Sequence, residues 1–198
     1  MFITVPANLG YGALAALVAG ESAGLPIPGE TALAAASLLA GAGHLSLPVV
    51  IGVAAGAAIA GDNLGFWIGR RGGRRVLLAE RGPFQRHRRA ALSRGAVFFE
   101  RHGGKAVLLG RFVSGVRVVA ALVAGASGMA PRRFLIANAA GAVLWASLTG
   151  LLVWGLGPLG AVVAVGGSWA LAATGSLITA LRAAVARRRP PVPQSEPA

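Results

Sequence analysis

The stretch ESAGLPIPGE, residues 21–30, interrupts a long apolar segment with two prolines, two glycines and two glutamates. Proline removes a backbone donor and fixes φ, and glycine adopts backbone angles closed to other residues. Pro26, Pro28 and Gly29 therefore predict a break between two helices, with the second beginning near Pro28–Gly29 and carrying Glu30 in its first turn. Inside a membrane such a break is tolerated only where it is buried in protein or lines a cavity.

The composition around this break is that of a membrane protein. Of the 198 residues, 55% are hydrophobic and 13% are charged, and the mean hydropathy is +0.68. A soluble domain has about 25% charged residues. The formal net charge is +13, but the basic residues cluster beside apolar segments, which favours contact with anionic lipid headgroups over nucleic-acid binding. The chain has no cysteine, so thiol chemistry is excluded.

Hydropathy predicts one membrane domain, residues 1–182, followed by a disordered basic and proline-rich tail, residues 183–198. Two of the apolar segments are interrupted: 9–43 and 104–130. Three are continuous and are predicted to span the membrane: 47–69, 132–157 and 158–181. An arginine-rich amphipathic connector, 70–103, is predicted to lie on the membrane surface between the two halves.

Charge bias orients these segments. The connector 70–103 is dense in arginine, which predicts a cytoplasmic location. If 104–130 dips into the membrane and returns, Arg132–Arg133 and Arg187–Arg189 are cytoplasmic too. A full crossing would place both clusters outside. We therefore predict a re-entrant hairpin for 104–130 and a cytoplasmic C-terminus, in a multi-pass protein of the cytoplasmic membrane.

The two halves also resemble each other. LLAGAGHLSLP at 38–48 is similar to LVAGASGMAPR at 122–132, and Gly56 and Gly65 correspond to Gly141 and Gly150. We predict an all-α integral membrane protein, an inverted repeat of two opposed re-entrant hairpins with about three spanning helices. Transporters commonly use such repeats, with the binding site near the midplane.

Five ionisable residues fall inside the apolar segments: Glu21, Glu30, Asp62, Arg111 and Arg117. A charge at the centre of a lone membrane helix costs about 2.5–3.5 kcal/mol on insertion scales. These side chains are therefore expected to face one another or a wet cavity. The first half supplies only acids and the second only arginines, and hairpins entering from opposite faces would bring the two sets together.

Arg111 and Arg117 flank a weaker break at Ser114–Gly115, across which they can converge. Their planar guanidinium groups suit a phosphate, and the helix that follows Gly115 would add backbone donors for an anion. The alternative is that both arginines form structural salt bridges with the glutamates.

The three acids have alternative interpretations as well. Glu30 would complement the helix dipole as a first-turn acid, and Glu21 would lie at the membrane interface. Asp62 would make an interhelical hydrogen bond or pair with Arg70–Arg71. Asp62 follows the first of three glycines at intervals of four, Gly61, Gly65 and Gly69, which predict a helix face that another backbone approaches closely, within one chain or between subunits of a homo-oligomer.

The remaining polar and aromatic residues predict packing. Asn138 is expected to hydrogen-bond between helices, and the four tryptophans are expected at interfaces or in packing; they are Trp67, Trp145, Trp154 and Trp169. The histidines lie far apart without metal-ligand spacing, so we expect no metal and no cofactor.

Four stretches together resemble the DedA family, also called the SNARE-associated or VTT-domain membrane proteins. They are ESAGLPIPGE, GDNLGFWIGRRGG, FFERHGGKAVLLGRFVSGVR and VAGASGMAPRRF, and they run from about residue 20 to about residue 157. One departure is Ser114, where the family often has a proline. The resemblance implies opposed re-entrant hairpins in a bacterial cytoplasmic membrane, and functional roles for the five buried charges.

The resemblance further implies a lipid translocase that moves undecaprenyl phosphate or a phospholipid between leaflets, coupled to protons. In this scheme Arg111 and Arg117 bind the phosphate while Glu21, Glu30 and Asp62 exchange protons. Such transport is not covalent catalysis, so we do not predict an enzyme. One alternative is a proton-coupled antiporter for cations or cationic drugs, and another is a membrane scaffold without transport.

Overall fold

The computed structural model describes residues 7–25, 27–73, 101–112 and 116–187. In these residues every regular element is helical. The α-helices are α1 (Ala7–Ala23), α2 (Gly29–Gly41), α3 (Leu47–Ile68), α4 (Gly104–Gly110), α5 (Val116–Ala126), α6 (Pro131–Leu156) and α7 (Pro158–Arg187). A π-helical turn, Gly69–Gly73, extends α3. The predicted all-α class is confirmed.

The helix break predicted from Pro26, Pro28 and Gly29 lies between α1 and α2. α1 ends at Ala23, Gly24 has φ of +111°, and α2 begins at Gly29 directly after Pro28. Glu30 lies in the first turn of α2, as predicted. The two helices fold back and pack against each other, so this segment is a helical hairpin. Pro26 lies outside the described residues.

Among the described residues, two helices are long and apolar enough to cross a membrane, by length and composition: Leu47–Gly72 and Pro131–Leu156. They agree with the predicted spans 47–69 and 132–157. The third predicted span, 158–181, lies within α7, which begins with the apolar stretch Pro158–Leu171.

The order of elements agrees with two similar halves. In each half a helix pair precedes one long helix: α1, α2 and α3 in the first, and α4, α5 and α6 in the second. The second break falls between Gly110 and Val116. Re-entry into a membrane and inverted symmetry remain predictions.

One boundary differs from its prediction. α7 continues to Arg187, so residues 183–187 are helical and do not belong to a disordered tail. Alanine and arginine favour helix, and the first proline after them is Pro190, which disfavours helix only near its own position. Residues 74–100 of the connector and the chain beyond 187 lie outside the described residues.

The long helices α3 and α6 form the centre of the bundle. α3 contacts α1, α2, α5 and α6, and α6 contacts α2, α3, α4 and α7. One apolar cluster includes Leu33, Val50 and Trp145, where α2, α3 and α6 meet with α1. A second cluster is built on Phe66 and Phe134, whose rings stack with centroids 4.4 Å apart.

Glycines allow the helices of the bundle to approach closely. A Cβ on Gly61 would meet the carbonyl oxygen of Ala19, and a Cβ on Gly69 would meet that of Leu122. A Cβ on Gly125, on α5, would in turn meet the carbonyl oxygen of Phe66. The predicted glycine face of α3 is therefore confirmed as the surface that the backbones of α1 and α5 approach.

Candidate functional site

A buried ion pair joins the two halves of the chain. Asp62 lies on α3 and Arg111 directly follows the last residue of α4. The Arg111 Nη1 donates to the Asp62 Oδ2 at 2.5 Å, and both side chains are 3% exposed. An acid of the first half and an arginine of the second thus meet inside the bundle. For this pair, the predicted meeting of acids and arginines is observed.

Arg111 packs against one face of α6. Nη1 also donates to the Asn138 Oδ1 at 2.6 Å. The guanidinium carbon lies 5.6 Å from the centroid of the Trp145 ring, within the range of a cation–π contact. Between them, a Cβ on Gly141 would lie 3.4 Å from the Arg111 Cδ, so glycine leaves room for the arginine stem. Positions 138, 141 and 145 fall on one helix face because helical neighbours recur every three to four residues.

Asn138 links this group back to α3. Its Nδ2 lies 3.5 Å from the carbonyl oxygen of Ile59, so the predicted interhelical hydrogen bond is observed. Along α3, Asp62 lies between Ala58 of the first apolar cluster and Phe66 of the second. The ion pair and its amide partner therefore form a polar layer between two apolar clusters.

The arginines on the π-helical turn have other partners. The Arg70 Nη1 donates to the carbonyl oxygen of Met129 at 2.9 Å. The guanidinium carbons of Arg70 and Arg71 lie 5.9 Å and 5.3 Å from the centroid of the Trp67 ring. Arg70 and Arg71 therefore dock on the end of the bundle, while Asp62 pairs with Arg111.

Glu30 lies at a separate cavity where α2, α6 and α7 come together. Glu30 is 6% exposed, and the Ser168 hydroxyl donates to its Oε2 at 2.8 Å. The cavity has a volume of about 200 Å³ and is walled mainly by apolar side chains, including Phe112 and Trp145. Phe112 is the residue after Arg111, and Trp145 contacts the arginine, so the cavity adjoins the ion pair.

Glu21 lies at the tip of the first hairpin. A Cβ on Gly29 would meet the Glu21 carboxylate, and it would lie 2.9 Å from the carbonyl oxygen of Leu17 and from the Val18 Cα. Gly29 is therefore required for the close approach of α2 to α1. The carboxylate of Glu21 lies against the first residue of α2, where the helix dipole favours negative charge.

The remaining predicted residues are placed only in part. Arg117 lies in the first turn of α5, and its side chain is outside the description. Ser114 and Gly115 lie outside the described residues. The meeting of Glu30 with Arg117 therefore stays a prediction.

Sequence reasoning missed Ser168 and the roles of Asn138 and Trp145 as contacts of Arg111. A serine in an apolar helix gives no signal by itself. The spacing of Asn138, Gly141 and Trp145 places a polar, a small and an aromatic residue on one face of α6, and that pattern could have indicated a docking face for a buried cation.

A known protein family matches most of this chain. The VTT domain matches residues 27–155, which include α2, α3 and nearly all of α6. This chain belongs to the VTT-domain family. As a VTT-domain protein it carries Glu30, Asp62, Arg111 and Asn138 within the matched region, whereas α7, with Ser168, lies beyond it.

Several relatives of this VTT-domain protein are named as uncharacterized membrane proteins. It is 39% identical over 148 residues to an uncharacterized membrane protein of Synechocystis sp., covering 75% of this chain and 67% of the relative. It is 36% identical over 156 residues to an uncharacterized membrane protein of Mycobacterium tuberculosis, covering 76% and 71%. Protein DedA of Escherichia coli K12 is 36% identical over 124 residues, covering 62% and 56%. No solved structure matches the chain.

Proposed function

We propose that this VTT-domain protein moves a lipid with a phosphate headgroup between the leaflets of the bacterial cytoplasmic membrane. The substrate is undecaprenyl phosphate or a phospholipid, and protons are the coupling ion. The observation that carries the proposal is the ion pair of Asp62 and Arg111, buried between the halves of an apolar bundle. No covalent bond is made or broken in this process.

A guanidinium group suits a phosphate because its planar N–H donors match the phosphate oxygens. Arg111 already binds one carboxylate and one amide oxygen, those of Asp62 and Asn138. A phosphate oxygen can take the place of the carboxylate at Nη1 without leaving the arginine unpaired. Such an exchange avoids a bare buried charge, which would cost several kcal/mol.

Exchange at Arg111 couples lipid binding to protons. Ionised Asp62 competes with the phosphate for the guanidinium group. Protonated Asp62 no longer attracts the arginine, so phosphate binds. Glu30 and Glu21 provide two further carboxyl groups for proton uptake and release, and Arg117 provides a second cation for the phosphate, with Ser114 and Gly115 at the break beside it.

Alternating exposure of this site requires two arrangements of the bundle. In the proposal, the α1–α2 hairpin and the pair α4–α5 enter the membrane from opposite faces as an inverted repeat. The connector 70–103 and the C-terminus are cytoplasmic because of their arginines. The lipid tail stays in the bilayer while the headgroup crosses through the protein.

One observation favours a second candidate function, a proton-coupled antiporter for lipophilic cations. The carboxyl group of Glu30 faces a cavity with aromatic walls, Phe112 and Trp145. Acidic and aromatic groups together suit an organic cation. In that case Arg111 acts as an internal counter-charge for Asp62 and does not touch substrate.

The experiment is reconstitution into liposomes with labelled undecaprenyl phosphate, with and without a pH gradient. Exposure of the label in each leaflet is followed for the wild type, Arg111→Gln and the matched control Arg70→Gln. We expect transport by the wild type and the control, and loss in Arg111→Gln even where that variant is folded in detergent. Equal transport by all three proteins would show that Arg111 does not bind the substrate. Uptake of a lipophilic cation dye, with no movement of the lipid, would establish the antiporter.

A further inference from the structure

The cavity beside Glu30 is lined in part by an element outside the family match. Its walls come from α2, α6 and α7 and from Phe112 after α4. α7 begins at Pro158, whereas the VTT domain match ends at residue 155. This chain therefore adds a wall to a cavity that adjoins the charged residues of the matched region.

The lining of the cavity suits hydrocarbon. Phe112, Trp145, Leu148, Leu152 and Leu171 contribute apolar walls. Its acidic group, that of Glu30, accepts a hydrogen bond from Ser168. Burial of apolar surface against such walls is favourable in proportion to the area removed from water.

The cavity also reaches the outer surface of the bundle. Leu148 and Leu171 line it and are 53% and 55% exposed. The neighbouring outer surface of α7 is apolar as well, with Trp169 63% exposed. In a bilayer this surface faces lipid chains, so a chain can enter the cavity sideways without crossing water.

The cavity lies next to the ion pair, and this position indicates which part of a lipid would occupy the cavity. Phe112 follows Arg111 in the chain, and the Trp145 ring lies 5.6 Å from the arginine's guanidinium carbon. A lipid whose phosphate binds Arg111 therefore begins its hydrocarbon chain beside these two aromatic walls. A volume of about 200 Å³ holds a short piece of chain and not a whole lipid.

We propose that this cavity binds the part of the lipid chain nearest the phosphate. The inference rests on the proposed function and deepens it, because it makes the start of the hydrocarbon chain a second determinant of substrate choice. The phosphate is recognised by Arg111, and the adjoining carbons are recognised by the walls that α6 and α7 provide.

Two adjacent glycines on α7 allow a matched test. Gly167 lines the cavity and Gly166 does not. A Cβ on either glycine would meet nothing within 4 Å, so both positions have open space for a larger side chain. Gly167→Leu fills the cavity, and Gly166→Leu makes the same change in helix propensity away from it.

The measurement is quenching of Trp145 fluorescence, in protein whose other tryptophans are replaced by phenylalanine. One probe is a polyprenyl phosphate with bromine on the carbons nearest the phosphate, and the other carries bromine at the far end. We expect the near probe to quench Trp145 and the far probe not to. Gly167→Leu should bind the near probe roughly tenfold more weakly, the effect of losing burial of about two methylene groups. Gly166→Leu should bind it like the parent protein.

Equal quenching by the two probes, or equal binding by the two glycine variants, would overturn the inference. If leucine prevents folding, Gly167→Ala and Gly166→Ala replace the pair, with a smaller difference expected in the same direction. The quenching experiment measures binding, so its result is independent of the transport assay. Quenching as expected without lipid movement would support the chain site and contradict translocation, whereas translocation without the expected quenching would contradict the chain site alone.

Discussion

Asp62 and Arg111 lie 49 positions apart in the chain and meet at 2.5 Å inside the bundle. Each is 3% exposed. Because charges taken out of water are costly unless paired, this contact fixes how the first half of the chain sits against the second. The same contact supplies the group that a phosphate would displace.

Removal of one partner of this pair should destabilise the protein more than removal of both. Arg111→Gln or Asp62→Asn alone leaves an opposite charge buried, at a cost of roughly 3–5 kcal/mol. The double variant should recover much of that loss. The measurement is the free energy of unfolding in detergent, with Arg70→Gln as the control on the edge of the bundle. Single and double variants of equal stability would contradict a stabilising role for the pair.

Gly29→Ala should destabilise the first hairpin. The added methyl group would meet the Glu21 carboxylate and the backbone of Leu17 and Val18, and overpacking of this kind costs about 1–3 kcal/mol. Gly12→Ala is the matched control on α1, because a Cβ there meets nothing within 4 Å. We expect the control to be neutral or more stable by up to about 1 kcal/mol. Thermal unfolding of the two variants distinguishes them, and the reverse order would refute the close approach.

A similar pair of variants tests the contact of α3 with α5. Gly125→Ala places a methyl group on the carbonyl oxygen of Phe66 and should force the two helices apart, with a loss of about 1–3 kcal/mol. Gly56→Ala changes a glycine of α3 whose Cβ would meet nothing within 4 Å. Unfolding midpoints should fall for the first variant only. A fall of the same size in Gly56→Ala would show that the loss in Gly125→Ala does not come from the contact with Phe66.

Ser168→Ala tests the link between α7 and Glu30. Loss of the hydroxyl removes the 2.8 Å hydrogen bond to the carboxylate, which should cost about 1 kcal/mol of stability. Thr174→Ala is the control, because that hydroxyl bonds the carbonyl oxygen of Ala170 within α7. Combined with Glu30→Ala, which removes the acceptor, Ser168→Ala should show a non-additive effect on unfolding. Strict additivity would indicate that the two residues do not interact.

Local chemistry made several features of the fold predictable. Pro28 and Gly29 break the first apolar segment by properties of the residues themselves, so α2 begins where the sequence indicates. Gly61, Gly65 and Gly69 recur every four residues and so fix one face of α3 and its π-helical extension, since helical residues four apart lie on the same side. Long apolar runs likewise indicated α3 and α6 to within a residue or two of their ends.

The site itself was only partly predictable. The sequence shows that buried charges need partners, yet it does not choose among three acids and two arginines, because the choice depends on how helices far apart in the chain pack. Ser168 reaches Glu30 from an element with no polar pattern, and Trp145 serves both the ion pair and the cavity. α7 extends beyond its predicted end because its last residues favour helix as far as Arg187.

The central claim is that a phosphate lipid exchanges with Asp62 at Arg111. The most direct test is the binding of undecaprenyl phosphate to wild type and Asp62→Asn across a pH series. Because the phosphate itself titrates near pH 6, the difference between the two proteins isolates the aspartate. We predict that wild-type binding strengthens as pH falls, and that Asp62→Asn binds tightly at every pH with a weaker dependence. Identical pH profiles for the two proteins, or loss of binding in Asp62→Asn, would contradict the exchange.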